Sequence, residues 1–232
     1  LVARRRASLE ALASELIDRH GIRAEVVSAD LTDLEARAGI LDALSGRNLV
    51  VSGLVNNAGF STTGPVAGSD PEREVAMIRT DVEAVAHLCS LFLPQMVERR
   101  SGAVLNVAST AAFQPLPGQS GYGACKAFVL SYTHGLRGEL AGTGVSATVL
   151  CPGPVETEFA QAAGFSEQDT TAMPKFMWVP AGEVARQGIE GMCSGRAVVI
   201  PGAPNKVSAF GGYLTPRRLL VPLLARQHPA LR

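Results

Sequence analysis

Along this chain, short apolar runs alternate with stretches whose apolar residues recur at helical spacing. Residues 1–3 read as the end of a strand. A helix follows over 8–20, with Leu9, Leu12, Leu16 and Ile17 on its apolar side and Gly21 as its stop. Residues 24–29 form a short strand that runs into Asp30-Leu31-Thr32-Asp33, where Thr32 or Asp33 suits the cap of the next helix. The run 49–55 has strand length and ends in Asn56-Asn57-Ala58-Gly59. A long helical segment covers 71–99, with a break expected near Pro94. Further strands are predicted over 103–108, 146–150 and 197–200, and helices over 122–141 and 183–193.

Strands that read as continuous apolar runs and alternate with helices predict an α/β fold, with a parallel sheet covered on both faces. The unusual residues cluster just after strands: Asp30, Asn56 to Gly59, Ser109, and Pro152-Gly153. Ligands of open α/β sheets bind at the carboxyl ends of strands, so pattern and chemistry point to one place. The chain shows no internal repeat and no low-complexity linker. One domain over 1–205 is expected, followed by an apolar, basic tail over 206–232. That tail holds Lys206, Arg217, Arg218, Arg226 and Arg232 and no acidic residue.

Bulk composition narrows the function classes. In 232 residues, 21 Lys+Arg balance 21 Asp+Glu, which argues against general nucleic-acid binding. Cys89, Cys125, Cys151 and Cys193 lack metal-ligand spacing and sit among small or apolar residues, so buried, reduced thiols are expected. No apolar run reaches the ~18 residues of a membrane helix. The opening Leu-Val-Ala-Arg-Arg-Arg does not read as a secretory signal, and a cytoplasmic location is the expectation.

Tyr122 and Lys126 stand four apart in Tyr-Gly-Ala-Cys-Lys, so a phenol and an ammonium share one helix face. A neighbouring positive charge lowers the pKa of a phenol. Ser109 ends the strand thirteen positions upstream, and the loop with Pro115, Pro117 and Gly118 lets both hydroxyls converge on one oxygen. Asn57, Ala58 and Gly59 would wall a flat pocket, or form an ordinary turn. Asp30 could accept from an adenine amine, or simply cap a helix. Pro152-Gly153-Pro154-Val155-Glu156-Thr157 could shape a nicotinamide site, with Thr157 at its amide, or be a rigid turn. Each plain reading competes with the functional one singly. Their order, each at a strand end, favours function.

On these motifs the chain resembles the short-chain dehydrogenase/reductase family over nearly its whole length, from Leu1 to about Gly202. The resemblance implies a Rossmann-like doubly wound parallel sheet and an oxidoreductase using NADP(H) or NAD(H). It implies Tyr122 as the acid/base, Ser109 as the group that polarises the carbonyl, and Lys126 as the residue that lowers the tyrosine pKa and holds the nicotinamide ribose. Asp30, Leu31, Asn57, Ala58, Gly59, Pro152, Gly153, Val155 and Thr157 would contact the cofactor. No metal is needed for this chemistry, and homo-oligomers are implied, often through the helix that begins near Tyr122.

The chain departs from the family's pattern twice. Where the family usually has an asparagine that organises a water-linked proton path, Asp81 stands in Ile-Arg-Thr-Asp-Val. A carboxylate there favours charged Lys126, so an altered rate or pH dependence is expected; a surface helix aspartate is the plain alternative. The family's first strand and the glycine-rich turn after it are also absent, and Leu1 to Arg4 matches the end of the second strand instead. Loss of a central strand would bear on stability and on cofactor binding. Arg4 and Arg5 follow that strand where NAD-preferring members place an acid. Arg4 therefore points to the 2′-phosphate of NADP(H), in preference to NAD(H).

The segment 156–179 falls where this family places its variable lid. Its Phe159, Phe165, Phe176, Met177 and Trp178 suggest a lipophilic ketone or alcohol, such as an acyl chain or steroid-like ring. For the tail, packing on its own domain or a sister subunit is favoured over an anionic membrane surface. The alternative to an NADP(H)-dependent oxidoreductase is a non-catalytic remnant or fragment that does not bind cofactor.

Overall fold

The computed structural model describes residues 1–165, 174–228 and 231. Strand β1 (Val2–Ala3) leads into α1 (Arg6–His20), which Gly21 ends by donating its N–H to the Ile17 carbonyl at 2.8 Å. After β2 (Val27–Ser28), Asp33 caps α2 (Leu34–Ser45) by accepting from the N–H groups of Glu35 and Ala36 at 2.8 and 3.3 Å. That decides between the two cap candidates, because Thr32 instead spends its hydroxyl and N–H on Asp30.

Strand β3 (Gly53–Asn56) precedes α3 (Pro71–Ile78) and α4 (Ala84–Glu98). Then come β4 (Gly102–Val107), α5 (Ser120–Glu139) and β5 (Val145–Leu150). The short α6 (Phe159–Ala162) and α7 (Ala181–Cys193) lead to β6 (Val198–Val199). The chain closes with α8 (Ala203–Leu214) and α9 (Arg217–Gln227). The 205/206 boundary of the expected tail falls inside α8.

All pairing is parallel. β1 pairs with β2, and β3, β4, β5 and β6 form a second sheet in that order. Among the described residues, β3 has no strand on its other side. Successive side chains of β4 serve opposite faces. Val104 packs with Ile40, Leu88, Phe92, Met96 and Leu136 on the side of α2, α4 and α5. Leu105 packs with Leu150, Val184, Met192 and Val199 on the side of α7. Helices on both faces make this the doubly wound α/β sheet that the apolar runs predict.

Two expectations, and one plain alternative, do not hold. The helical segment 71–99 does not break at Pro94, which lies inside α4. Pro94 and Ser90 are both on the exposed side, so water can satisfy the Ser90 carbonyl that the missing Pro94 N–H leaves unpaired. The irregularity comes earlier, at Arg79–Glu83, where the Ala84 N–H reaches back five residues to the Arg79 carbonyl in a π turn. Asp81 in that turn is fully buried, not a surface aspartate. Finally, Cys89, Cys125 and Cys151 are buried free thiols, but Cys193 is exposed.

Candidate active site

Ser109 stands two residues beyond β4, in extended backbone, at the carboxyl edge of the sheet. Its Oγ accepts the Ala111 N–H at 3.1 Å and lies 3.4 Å from the Pro152 carbonyl oxygen, so the loops after β4 and β5 hold it between them. Tyr122 is the third residue of α5, and the nearby Ser109 hydroxyl acts to lower the pKa of its phenol. One turn later, the Lys126 Nζ lies 5.6 Å from the Tyr122 ring centroid and donates to the Val107 carbonyl at 3.2 Å. The same Nζ lies 2.8 Å from Asp81 Oδ2, and Asp81 Oδ1 accepts the Phe60 N–H at 3.0 Å. A row of polar groups thus runs from Ser109 past Tyr122 to Lys126 and Asp81, where the ion pair and the Phe60 N–H tie it to the loop after β3.

The π turn and a glycine make that arrangement possible. The wide turn points Asp81 inward between α3 and α4. Gly59 lies so close that a Cβ there would stand 2.9 and 3.0 Å from the two carboxylate oxygens. Any side chain at 59 would push the carboxylate off Lys126.

Burial is the largest influence on all three titratable groups. It raises the Tyr122 pKa, opposed by the Lys126 charge and the neighbouring Ser109 hydroxyl, while the Asp81 charge adds to the rise. The expectation of a lowered phenol pKa is therefore corrected: Lys126 pulls it down, but burial outweighs the pull. Burial alone would depress Lys126, yet the charges of Asp81 and Tyr122 raise it above its ordinary value. Burial also raises Asp81, against the Lys126 ammonium and the Phe60 N–H.

A cavity of about 930 Å³ opens over these groups. Ser109, Tyr122 and Lys126 line it, and so do Asn57, Gly59, Pro152, Gly153, Val155 and Thr157 of the expected cofactor residues. Arg4, Asp30, Leu31 and Ala58 do not. Asp30 turns back on Thr32, which holds its carboxyl below the usual range with help from the Arg4 charge. The Leu31 carbonyl accepts from Arg37 at 2.8 Å, and its side chain packs against the core. Of the lid segment 156–179, residues 166–173 lie outside the described residues. Phe159, Phe165 and Trp178 line the cavity, whereas Phe176 points to solvent.

Two contributors were missed by the sequence reading. Asn205 of α8 is fully buried and donates to the Met177 and Pro201 carbonyls at 2.9 and 3.0 Å. It packs so tightly on Gly153 that a Cβ there would collide with its amide. Beneath the site, Asn56 donates to Asn106 at 2.8 Å, and Asn106 donates to Thr133 at 3.0 Å. The ladder joins β3, β4 and α5. Asparagines within apolar strand runs were the signal that could have revealed it.

The residues present fit the nicotinamide-ribose half of a dinucleotide. Lys126 has three N–H donors, two of them directed at Asp81 and Val107, and it lines the cavity, leaving a donor for a ribose hydroxyl. The chain's one Gly-x-x-x-Gly-x-Gly spacing, Gly138 to Gly144, lies at the C-terminal end of α5, which presents carbonyls and not the amides a phosphate requires.

Comparison with known proteins agrees with this geometry. The family model described as short chain dehydrogenase matches residues 1–168. Sulfoacetaldehyde reductase 2 of Chromohalobacter salexigens is 37% identical over 161 residues, which are 68% of this chain and 63% of that protein. The chain thus spans less than two thirds of that relative's length. A short-chain dehydrogenase from Sphingobium yanoikuyae, solved with NADPH, superposes with a TM-score of 0.80 at 29% identity, covering 96% of this chain and 84% of that one. A structure from a study of 7β-hydroxysteroid dehydrogenase stereoselectivity gives a TM-score of 0.83 at 25% identity, covering 96% and 85%.

The buried ion pair yields a stability prediction. Asp81→Ala leaves Lys126 in the interior without its counter-charge, so it must stay charged and unpaired or give up its proton, and should cost about 3–5 kcal/mol in urea unfolding. A loss below about 1 kcal/mol would show that the pair does not hold the site together.

Proposed function

The chain belongs to the short-chain dehydrogenase family, and from that premise we propose that it serves an NADP(H)-dependent transfer of hydride between nicotinamide and a lipophilic ketone or alcohol. The observation that carries this reading is that Ser109, Tyr122 and Lys126 line one cavity, with buried Asp81 paired to the lysine behind them. The nicotinamide, when bound, supplies or accepts the hydride. In the reductive direction Tyr122 delivers its proton to the substrate oxygen, and the Ser109 hydroxyl donates to the same oxygen as negative charge grows on it. Lys126 holds a positive charge beside the phenolate that forms, and Asp81 keeps that charge in place. Asn57, Gly59, Pro152, Gly153, Val155 and Thr157 would bound the nicotinamide end.

The cavity wall favours an uncharged, apolar substrate. Phe60, Leu116, Phe159 and Trp178 contribute to it, and among the described lining residues Lys126 is the one cation. That cation is already paired with Asp81. A sulfonate such as the one named for the Chromohalobacter relative would find no second positive charge there. Arg4, exposed and directly after β1, supports a preference for the 2′-phosphate of NADP(H). The exposed Phe128, stacked on Tyr132 along α5, is a candidate contact for a homo-oligomer. The competing reading, a chain that does not bind the dinucleotide by itself, draws on the division of the sheet between β2 and β3.

Parallel fluorescence titrations with NADPH and NADH, followed by a screen of apolar ketones, test this reading. NADPH should bind more tightly than NADH, and Arg4→Ala should weaken NADPH about tenfold while sparing NADH. Tyr122→Phe should bind NADPH and lose about 10²–10⁴ in reduction rate. Absence of NADPH binding by the folded chain would favour the competing reading.

The pH profile of alcohol oxidation tests Asp81. Oxidation needs the Tyr122 phenolate, so the rate rises with pH through the phenol pKa. The Asp81 charge raises that pKa, and a neutral amide does not. Asp81→Asn should therefore move the rising limb to lower pH. A limb that stays put or moves upward would rule out this electrostatic role.

A further inference from the structure

The last two helices each bury one side and offer the other to solvent. On α8, Asn205, Ala209 and Gly212 face inward, with Gly212 against the Gln114 side chain that lines the cavity. On the opposite side, Val207 (73% exposed), Phe210 (67%) and Leu214 follow at spacings of three and four. On α9, Leu220 is buried while Leu219 and Leu223 are exposed, and Arg218 and Arg226 are exposed on the same side of the helix. Arg217 ties the pair down by donating to the Gly212 and Phe113 carbonyls at 2.7 and 3.3 Å. The sequence favours packing of this tail on its own domain or on a sister subunit. The inner faces pack on the domain; the outer faces do not.

We propose that the outer faces of α8 and α9 rest on an anionic lipid bilayer. Val207, Phe210, Leu214, Leu219 and Leu223 would enter the boundary between headgroups and acyl chains, with Lys206, Arg218 and Arg226 at the level of the phosphates. Charge decides this occupant. Neither helix contains an acidic residue, so a second copy docked face to face across a two-fold axis would set basic residues against basic residues. An anionic headgroup layer complements both the apolar and the cationic positions. At 12 and 11 residues the helices are too short to span a membrane, so they lie along it.

The site lies close to this surface. The Phe165 ring, which lines the cavity, stands 6.1 Å from the His228 ring that follows α9. Docking would set the cavity beside the bilayer, where an apolar ketone or alcohol dissolves. This last step rests on the proposed substrate class; the docking itself does not.

Co-sedimentation of the whole chain with vesicles tests the docking without cofactor or turnover, so its outcome is separate from that of the activity assays. Vesicles of phosphatidylcholine with about one third phosphatidylglycerol should bind the chain, and vesicles of phosphatidylcholine alone should bind it far less. Salt should weaken the binding, Arg218→Ala should weaken it about fivefold, and Phe210→Ser with Leu219→Ser should abolish it. Thermal unfolding of these surface variants should match the parent. As a readout independent of them, Phe210→Trp should shift its emission to the blue on adding anionic vesicles, while Val50→Trp, exposed elsewhere, should not. No binding, equal binding to both vesicle types, or a dimer that the same substitutions dissolve in the absence of vesicle binding would each overturn the proposal.

Discussion

The site depends on one buried contact, the 2.8 Å ion pair between Lys126 and Asp81. Taking two charges out of water is costly, and mutual attraction offsets that cost only when geometry is close and the remaining polar groups find partners. Here Asp81 Oδ1 takes the Phe60 N–H and Lys126 donates to the Val107 carbonyl, while Asp81 Oδ2 meets the ammonium as an ion pair. The pair thereby links the loop after β3, the turn between α3 and α4, the end of β4, and the first turns of α5. Those four segments carry or adjoin the groups that line the cavity. Two local features serve the contact. The π turn over Arg79–Glu83 carries Asp81 inward, and the bare Gly59 leaves room for its carboxylate.

The ion pair also sets the electrostatics of the tyrosine. A lone ammonium one turn away would act on Tyr122 with its full field. Paired with a carboxylate, it presents a weaker one, and burial of the phenol then prevails. The same buried carboxylate offsets the desolvation of Lys126, which would otherwise favour the neutral amine. Asp81 therefore trades some acidity of the phenol for a secure charge on the lysine.

Much of this was legible in the sequence because it follows from spacing. Tyr122 and Lys126 share a face in any helix, and Ser109 ends an apolar run that had to be a strand. The identity of Asp81 as the partner position was legible as well, but its burial was not. Helical periodicity has no signal for a π turn, which local sequence does not favour and packing imposes. The break was therefore assigned to Pro94, a residue whose missing N–H matters only where water cannot reach the carbonyl it leaves unpaired. Strand lengths were overstated at 24–29 because an apolar run is extended only as far as a neighbour pairs with it, and β2 pairs over Val27–Ser28. Asn205 and the ladder Asn56–Asn106–Thr133 are long-range contacts set by register and docking, and single-chain pattern reading does not reach them.

The pairing of Lys126 bears on what the cavity can select. An unpaired lysine in an apolar cleft would attract any anionic substrate, whatever the shape of the wall. With the lysine charge answered by Asp81, the front of the cavity presents its apolar wall and the Ser109 and Tyr122 hydroxyls. A carbonyl oxygen between Ser109 and Tyr122 would accept from both hydroxyls, whereas a methylene in its place would leave the buried Tyr122 hydroxyl without that partner, a penalty that outweighs the gain from one more apolar contact. The proposed preference for an uncharged carbonyl compound or alcohol thus draws on one arrangement, in which the carboxylate that holds Lys126 also answers its charge.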